Sequence, residues 1–317
     1  MVEPRVFSYN VLIFKIFSKK TGVRMTIVQG ILLGILQGIA EFLPISSSGH
    51  LAVAQKLFGL EDVPLLFDVM LHLATLAAVV LYFRRTIGRL FAVLGRWIAR
   101  RPAPAESDGA DFLCGTEERG RRTIAAVILT TAATGAIGVF TSRLVPALPL
   151  KAVCGGFIVT AGLLVFSSVL ERSRARKDAA PAGGGDAAAS APSGKGISPA
   201  QALAIGVMQG VGTLPGISRS GATIAGAQLS GVSRTAAGEY SFLVSIPAIL
   251  GAFLLEVKDL SEVGASVGAA PVIAGCAAAF AWGYLALAFL MKIIRRGKLE
   301  WFAAYLVPVG VLGMIFL

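Results

Sequence analysis

The sequence predicts an all-α integral membrane protein built as an inverted repeat, each copy a re-entrant helical hairpin followed by three transmembrane helices. Three observations carry that prediction. The 317 residues are 55% hydrophobic and only 15% charged, with a mean hydropathy of +0.76, whereas a water-soluble domain carries about 25% charged residues. Six apolar runs, near 67–83, 123–142, 151–170, 238–256, 271–291 and 300–317, each approach the ~20 residues that a bilayer-crossing helix needs. Two further apolar stretches, 26–60 and 199–232, are broken in the middle by Pro, Gly and clustered Ser, and they resemble each other.

Taken in order, residues 1–24 hold a short apolar stretch cut by Lys15 and closed by Lys19, Lys20 and Arg24. This is too interrupted to span, and Met25 is a candidate start. The first broken stretch, 26–60, centres on PISSSGH (44–50), and the second, 199–232, on PGISRSG (215–221). Lipid offers no partners for the backbone groups such a break frees, so each stretch reads as two helices joined by a turn that is buried in protein or lines a wet cavity. The first repeat then covers 25–170 and the second 199–317. Between them, 171–198 opens with ERSRARK and runs into an Ala/Gly/Pro/Ser tract, read as a flexible cytoplasmic linker.

The net charge of +11, from 29 Lys and Arg against 18 Asp and Glu, sits in the loops. There it sets orientation in the bilayer and calls for no nucleic acid. Segment 84–122 carries nine arginines and segment 292–298 holds Lys292, Arg295, Arg296 and Lys298, so both are expected in the cytoplasm; the cation-poor loops near 143–150 and 257–270 are expected outside. Cys114, Cys154 and Cys276 have neither metal-ligand nor disulfide spacing and read as small core residues.

QGIAEFLPISSSGH (37–50) lies over QGVGTLPGISRSGA (209–222) at an offset of 172, and Leu57 and Gly59 again fall over Leu229 and Gly231. A hairpin plus three spans is an odd number of crossings, so the second copy enters from the opposite side. The two broken elements then meet near the midplane, the first opening to the outside and the second to the cytoplasm.

The chemistry-bearing residues fall at these breaks. Gln37 and Glu41 share one helix face, and Glu41 is an ionisable group in an apolar segment, costly unless paired, protonated or on a metal. Ser46, Ser47, Ser48 and His50 follow, supplying hydroxyls and an imidazole. His72, in an apolar span with no polar turn beside it, reads as structural. In the second copy Ser218, Arg219, Ser220 and Thr223 supply the complement, with Arg219 in the place of Ser47. A buried Arg flanked by hydroxyls at a helix start is an oxyanion receptor; its alternative is a structural pair with Glu41. This set suits a phosphorylated lipid, and nothing in the chain resembles a Rossmann fingerprint or a Walker loop.

The runs 37–50 and 215–223 resemble the two signatures of the undecaprenyl-diphosphatase family, the bacitracin-resistance phosphatases, and the resemblance extends over most of 25–317. It implies a multi-pass enzyme of the bacterial inner membrane that hydrolyses undecaprenyl diphosphate to undecaprenyl phosphate and inorganic phosphate, recycling the carrier for peptidoglycan synthesis. It implies Glu41, His50 and Arg219 as catalytic residues, with Ser46, Ser47, Ser48, Ser218, Ser220 and Thr223 around the phosphates and Gln37 in support. The family also implies a divalent cation, Mg²⁺ or Ca²⁺; Glu41 either holds that cation or orients the imidazole, while His50 either attacks phosphorus or activates water. The partners implied are the lipid substrate and the bilayer, and a homodimer is compatible with the arrangement. Broken helices in inverted repeats also build transporters, so a lipid-phosphate carrier or flippase is the rival reading.

Overall fold

A computed structural model describes residues 25–60, 63, 65–103, 111–141, 148–178, 196–256 and 267–317. These residues form eleven helices and no strand: α1 (Ile27–Phe42), α2 (Ser47–Leu57), α3 (Leu65–Tyr82), α4 (Arg84–Ile98), α5 (Glu117–Thr141), α6 (Leu150–Asp178), α7 (Pro199–Val211), α8 (Arg219–Leu229), α9 (Arg234–Glu256), α10 (Ala269–Arg296) and α11 (Trp301–Phe316). The all-α membrane class follows directly. Five helices, α3, α5, α6, α9 and α10, are long and apolar enough to cross a bilayer, and large apolar side chains such as Phe140, Phe166, Leu255 and Phe316 lie exposed on the outer surface, where lipid would cover them.

The sixth expected span, 300–317, falls on the 16-residue apolar helix α11, shorter than those five. Two expectations are corrected. Segment 84–122 is not all loop, since it contains the amphipathic helix α4. The linker begins later than expected. Helix α6 continues to Asp178 because its end is held: Glu171 accepts from Arg234 Nε at 2.9 Å, Arg172 pairs with Glu300, and Arg174 donates to the Gln228 and Leu229 carbonyls at 3.0 Å each. Residues 1–24 and the tract 179–195 lie outside the described residues, as do most positions of the two cation-poor loops.

The two broken stretches fold alike down to single hydrogen bonds. Thr26 caps α1 in a capping box with Gln29, and Ser198, 172 positions on, caps α7 in the same box with Gln201. Helices α2 and α8 start at Ser47 and Arg219 and end at Leu57 and Leu229, both pairs at the same offset. Each stops at a glycine in the left-handed region, Gly59 and Gly231. The bonds Leu60 N to Gln55 O (2.9 Å) and Val232 N to Ala227 O (3.0 Å) close the same C-terminal motif.

Small residues set how the helices cross. Gly30, Gly34 and Gly38 of α1 press their backbone on Pro271, Gly275 and Ala279 of α10. Their counterparts Gly206 and Gly210 of α7 press on Thr130, Ala133 and Ile137 of α5. Thr130 and Thr134 hydroxyls tie that crossing to the Ala202 and Gly206 carbonyls at 2.8 and 3.1 Å, the close small-residue contact typical inside membranes. A Cβ on Gly206 would lie 2.7 Å from both Ala133 Cβ and Thr130 O. Gly206→Ala is therefore expected to destabilise by about 1–3 kcal/mol, seen as a lowered thermal midpoint in detergent; an unchanged midpoint would show that the crossing yields.

The cysteines fit the core reading, with Cys114 and Cys154 buried. Cys114, just before α5, donates to Asp111 Oδ2 at 3.0 Å. Burial, then the neighbouring carboxylate, push its thiol up to about 12, so it is an inert thiol.

Candidate functional site

The centre forms where the two breaks meet, between the end of α1 and the starts of α2 and α8. Pro44 cannot continue α1, and Ser46 takes φ 70 and ψ 90, a conformation that costs a non-glycine residue about 1–3 kcal/mol. The turn is kept because its side chain caps α2, the Ser46 hydroxyl accepting from Gly49 N at 3.4 Å. In the second break Ser218 caps α8 in the same way, accepting from Gly221 N at 3.1 Å, while its own N–H donates to the Thr160 hydroxyl at 2.9 Å. The tips touch reciprocally: a Cβ on Gly49 would lie 3.1 Å from Gly216 Cα, and one on Gly221 would lie 3.2 Å from Pro44 Cβ. Gly216 at φ +90 leaves no room for a side chain against Val153.

One carboxylate gathers this site. Glu41 is buried and receives groups from four helices. Gln37 Nε2 donates to Oε2 at 3.0 Å, the Ser47 hydroxyl donates to the same oxygen at 2.6 Å, and His72 Nε2 lies 3.3 Å from it. Arg219 Nη2 pairs with Oε1. The side chains of Glu41 and Arg219 are 3% and 19% exposed, so the pair is largely removed from solvent and strong only because both ends are matched. Helices α2 and α8 both begin here, and each directs the positive end of its dipole toward the same spot.

The structure thus brings Gln37, Glu41, Ser47 and Arg219 into direct contact. Ser218 and Ser220 lie behind them, 3.2 Å apart, with Ser220 donating to the Phe42 carbonyl at 3.2 Å. Thr223 is fully buried and donates to the Arg219 carbonyl at 2.6 Å, which places its hydroxyl on the helix backbone behind the arginine. Ser48 is exposed. His50 stands apart from the carboxylate network. Its Nδ1 donates to the Ser46 carbonyl at 2.8 Å, its Nε2 lies 2.9 Å from the Tyr305 hydroxyl, and its ring packs on Phe157 and Tyr305. With the Nδ1 proton committed to a carbonyl, Nε2 of the neutral ring holds the lone pair and accepts from Tyr305.

Two residues of this centre were not legible as such. His72, expected to be structural, sits against Glu41, with its Nδ1 donating to the Asp68 carbonyl at 2.7 Å; Asp68 in turn accepts from Gln55 Nε2 at 2.7 Å. Tyr305 is a lone phenol in an apolar helix. The signal available for His72 was a polar face on α3, with Asp68, His72 and Thr75 one turn apart. His72→Ala is expected to lower turnover about a hundredfold, the lower end of what a positioned acid–base group contributes. His72→Gln, whose amide can reach the same oxygen, should recover most of it; equal turnover for all three proteins would return His72 to packing alone.

A divalent cation would find one carboxylate here. Among the described residues no three His, Cys, Asp or Glu side chains converge, so these residues offer no closed cage.

Fold and site define a multi-pass helical membrane protein with a buried, charge-paired centre where two broken hairpins meet. The chain matches the model of the bacitracin resistance protein BacA family over residues 30–312 and belongs to that family. It is 43% identical over 286 residues to an undecaprenyl-diphosphatase of Treponema denticola, covering 90% of this chain and 96% of that protein. It is 38% identical over 295 residues to one of Desulforapulum autotrophicum, covering 92% and 98%, and 34% identical over 284 residues to one of Borrelia recurrentis, covering 89% and 96%.

Proposed function

We propose that this chain hydrolyses undecaprenyl diphosphate to undecaprenyl phosphate and inorganic phosphate in the bacterial inner membrane, returning the carrier to peptidoglycan synthesis and conferring resistance to bacitracin. The observation that carries the reading is the centre's surplus of positive character. Arg219 and the N-termini of α2 and α8 converge on one carboxylate that the His72 ring also touches, and a diphosphate supplies the missing negative charge. The phosphatase names of the relatives favour this reading over a lipid-phosphate carrier.

Substrate entry would exchange partners at Arg219. The guanidinium turns from Glu41 Oε1 to the terminal phosphate, where its planar fork can hold two oxygens, and N–H groups at the starts of α2 and α8 take others. Glu41, released from Arg219 and still held by Gln37 and Ser47, is then free for a divalent cation. Mg²⁺ is commonly held by one or two carboxylates completed by substrate phosphates, which fits a centre with a single carboxylate. When bound, such an ion neutralises phosphate charge. His50 Nε2, once uncovered by Tyr305, is the atom that takes a proton from water or bonds to phosphorus; rapid-quench trapping of an acid-labile phosphohistidine separates those routes. Between α6 and α11 runs a groove of about 510 Å³ whose lining includes Val165, Val169, Ala303 and Val307. The same two helices supply Phe157 and Tyr305 to His50, so the groove is the place for the prenyl chain, where apolar burial adds affinity without specifying the reaction.

The reciprocal tip contacts and the paired crossings of α1 on α10 and α7 on α5 support two like copies, and the cationic segments 84–122 and 292–298 support an inverted arrangement with the first hairpin opening outward. In this reading the first repeat spans 25–170 and the second 199–317.

Purified protein in detergent is expected to release phosphate from undecaprenyl diphosphate, and EDTA is expected to suppress the release. Absence of release under conditions where the protein is folded would favour a carrier, which has no gradient to use in detergent.

A further inference from the structure

Helix α4 has no part in the centre described above, yet its composition is unusual for a connector. It follows α3 with only Phe83 between them, and its 15 residues include Arg84, Arg85, Arg89 and Arg96. At 100° per residue, Ile87, Leu90, Phe91, Leu94, Trp97 and Ile98 fall within a sector of about 120°, Arg85, Arg89 and Arg96 cluster opposite it, and Arg84 lies at its edge beside Phe91.

Both ends of α4 are fixed at the level where a span turns from apolar to charged. The N-terminal end continues from α3 through Phe83, which is buried. The C-terminal end lies on the first turns of α5, where Arg96 Nη2 bonds to Glu117 Oε2 at 2.8 Å and the Arg121 guanidinium sits 5.7 Å from the Trp97 ring centre. Between them Val93 packs against Gly120, whose added Cβ would meet it at 2.8 Å. Because α3 ends and α5 starts at the same membrane boundary, a helix about 22 Å long joining them lies along that boundary. It neither crosses the bilayer nor projects from it.

The exposed groups then sort by layer. Phe91, Trp97 and Ile98 remain 66%, 42% and 76% exposed, although Leu90 and Ile87 of the same sector pack on the core. Arg89 and Arg96 are neutralised by Asp111 at 3.5 Å and Glu117. Arg85, Arg100 and Arg101 are exposed and have no acidic partner among the described residues. A half-covered apolar stripe beside unneutralised guanidinium groups matches the acyl and phosphate layers of a leaflet containing anionic lipid.

We propose that α4 is an interfacial anchor for anionic phospholipid, with Phe91, Trp97 and Ile98 in the upper acyl region and Arg85, Arg100 and Arg101 on lipid phosphates. The test uses the full chain in nanodiscs of phosphatidylcholine with and without phosphatidylglycerol. In a variant keeping Trp97 alone (Trp282→Phe, Trp301→Phe), fluorescence is expected to be quenched most by lipids brominated near the glycerol backbone. If that variant does not fold, the difference between the unsubstituted protein and Trp97→Phe gives the same reading. Quenching that is strongest for bromines at the chain ends, or none at any depth, overturns the placement. In native mass spectrometry the triple variant Arg85→Gln, Arg100→Gln, Arg101→Gln is expected to retain at least about tenfold less phosphatidylglycerol than the unsubstituted protein, with phosphatidylcholine retention unchanged; Arg101→Glu alone serves if the triple variant is unstable. Equal phosphatidylglycerol retention overturns the lipid contact.

Discussion

Glu41→Gln is expected to lower phosphate release by at least about a thousandfold, or roughly 4 kcal/mol of transition-state stabilisation, while the protein remains folded. The substitution keeps size and shape but removes the charge that four groups share: the amides and hydroxyls of Gln37 and Ser47, the His72 ring and the Arg219 guanidinium. An amide set among these donors can accept at one atom only, and its NH₂ opposes either Ser47 or Arg219. Arg219 would be left without its counter-charge, the situation in which breaking a buried pair costs about 3–5 kcal/mol, so the thermal midpoint should be measured alongside turnover. Turnover above about a tenth of the unsubstituted rate, a loss under ~1.4 kcal/mol, would remove Glu41 from the chemistry.

Arg219→Lys is expected to cost about a hundredfold in kcat, roughly 3 kcal/mol, the size found when a preorganised donor to developing charge is removed. Lys preserves the charge opposite Glu41, so the resting ion pair seen in the structure survives the exchange. What it loses is the fork able to hold two phosphate oxygens. A fall in kcat at constant KM places the guanidinium on charge that grows in the transition state, and a rise in KM alone places it on bound substrate. Near-normal kcat and KM would confine Arg219 to its pair with Glu41.

The breaks in the two hairpins were legible because Pro44, Gly216 and the serines that cap α2 and α8 are local signals with local causes. The pairing of Glu41 with Arg219 could be weighed from sequence only as an alternative, since the residues are 178 positions apart and meet through the packing of the two tips. His72 was hidden for the same reason: its neighbours along the chain are apolar, and the carboxylate that gives it a role comes from another helix. In 84–101 the arginines dominate and signal sidedness, and the mark of α4, the recurrence of Ile87, Leu90, Phe91, Leu94, Trp97 and Ile98 at three- and four-residue steps, is diluted among them.

The equal offsets of Ser46 with Ser218 and of Ser47 with Arg219 bear on how such a centre can arise. A single hairpin-bearing chain that paired with an identical copy would set every tip residue against its twin. A carboxylate acquired on one tip would appear on both, and so would a guanidinium, giving two like charges where the tips converge together with two of the opposite sign. Joining the copies in one chain lifts that restriction. Position 41 can become Glu while position 213 is Thr, and position 219 can become Arg while position 47 stays Ser, so that one anion and one cation oppose each other across otherwise matching turns. The asymmetry a directional reaction requires is therefore available to the joined chain at two positions, with the duplicated caps and crossings left as they were.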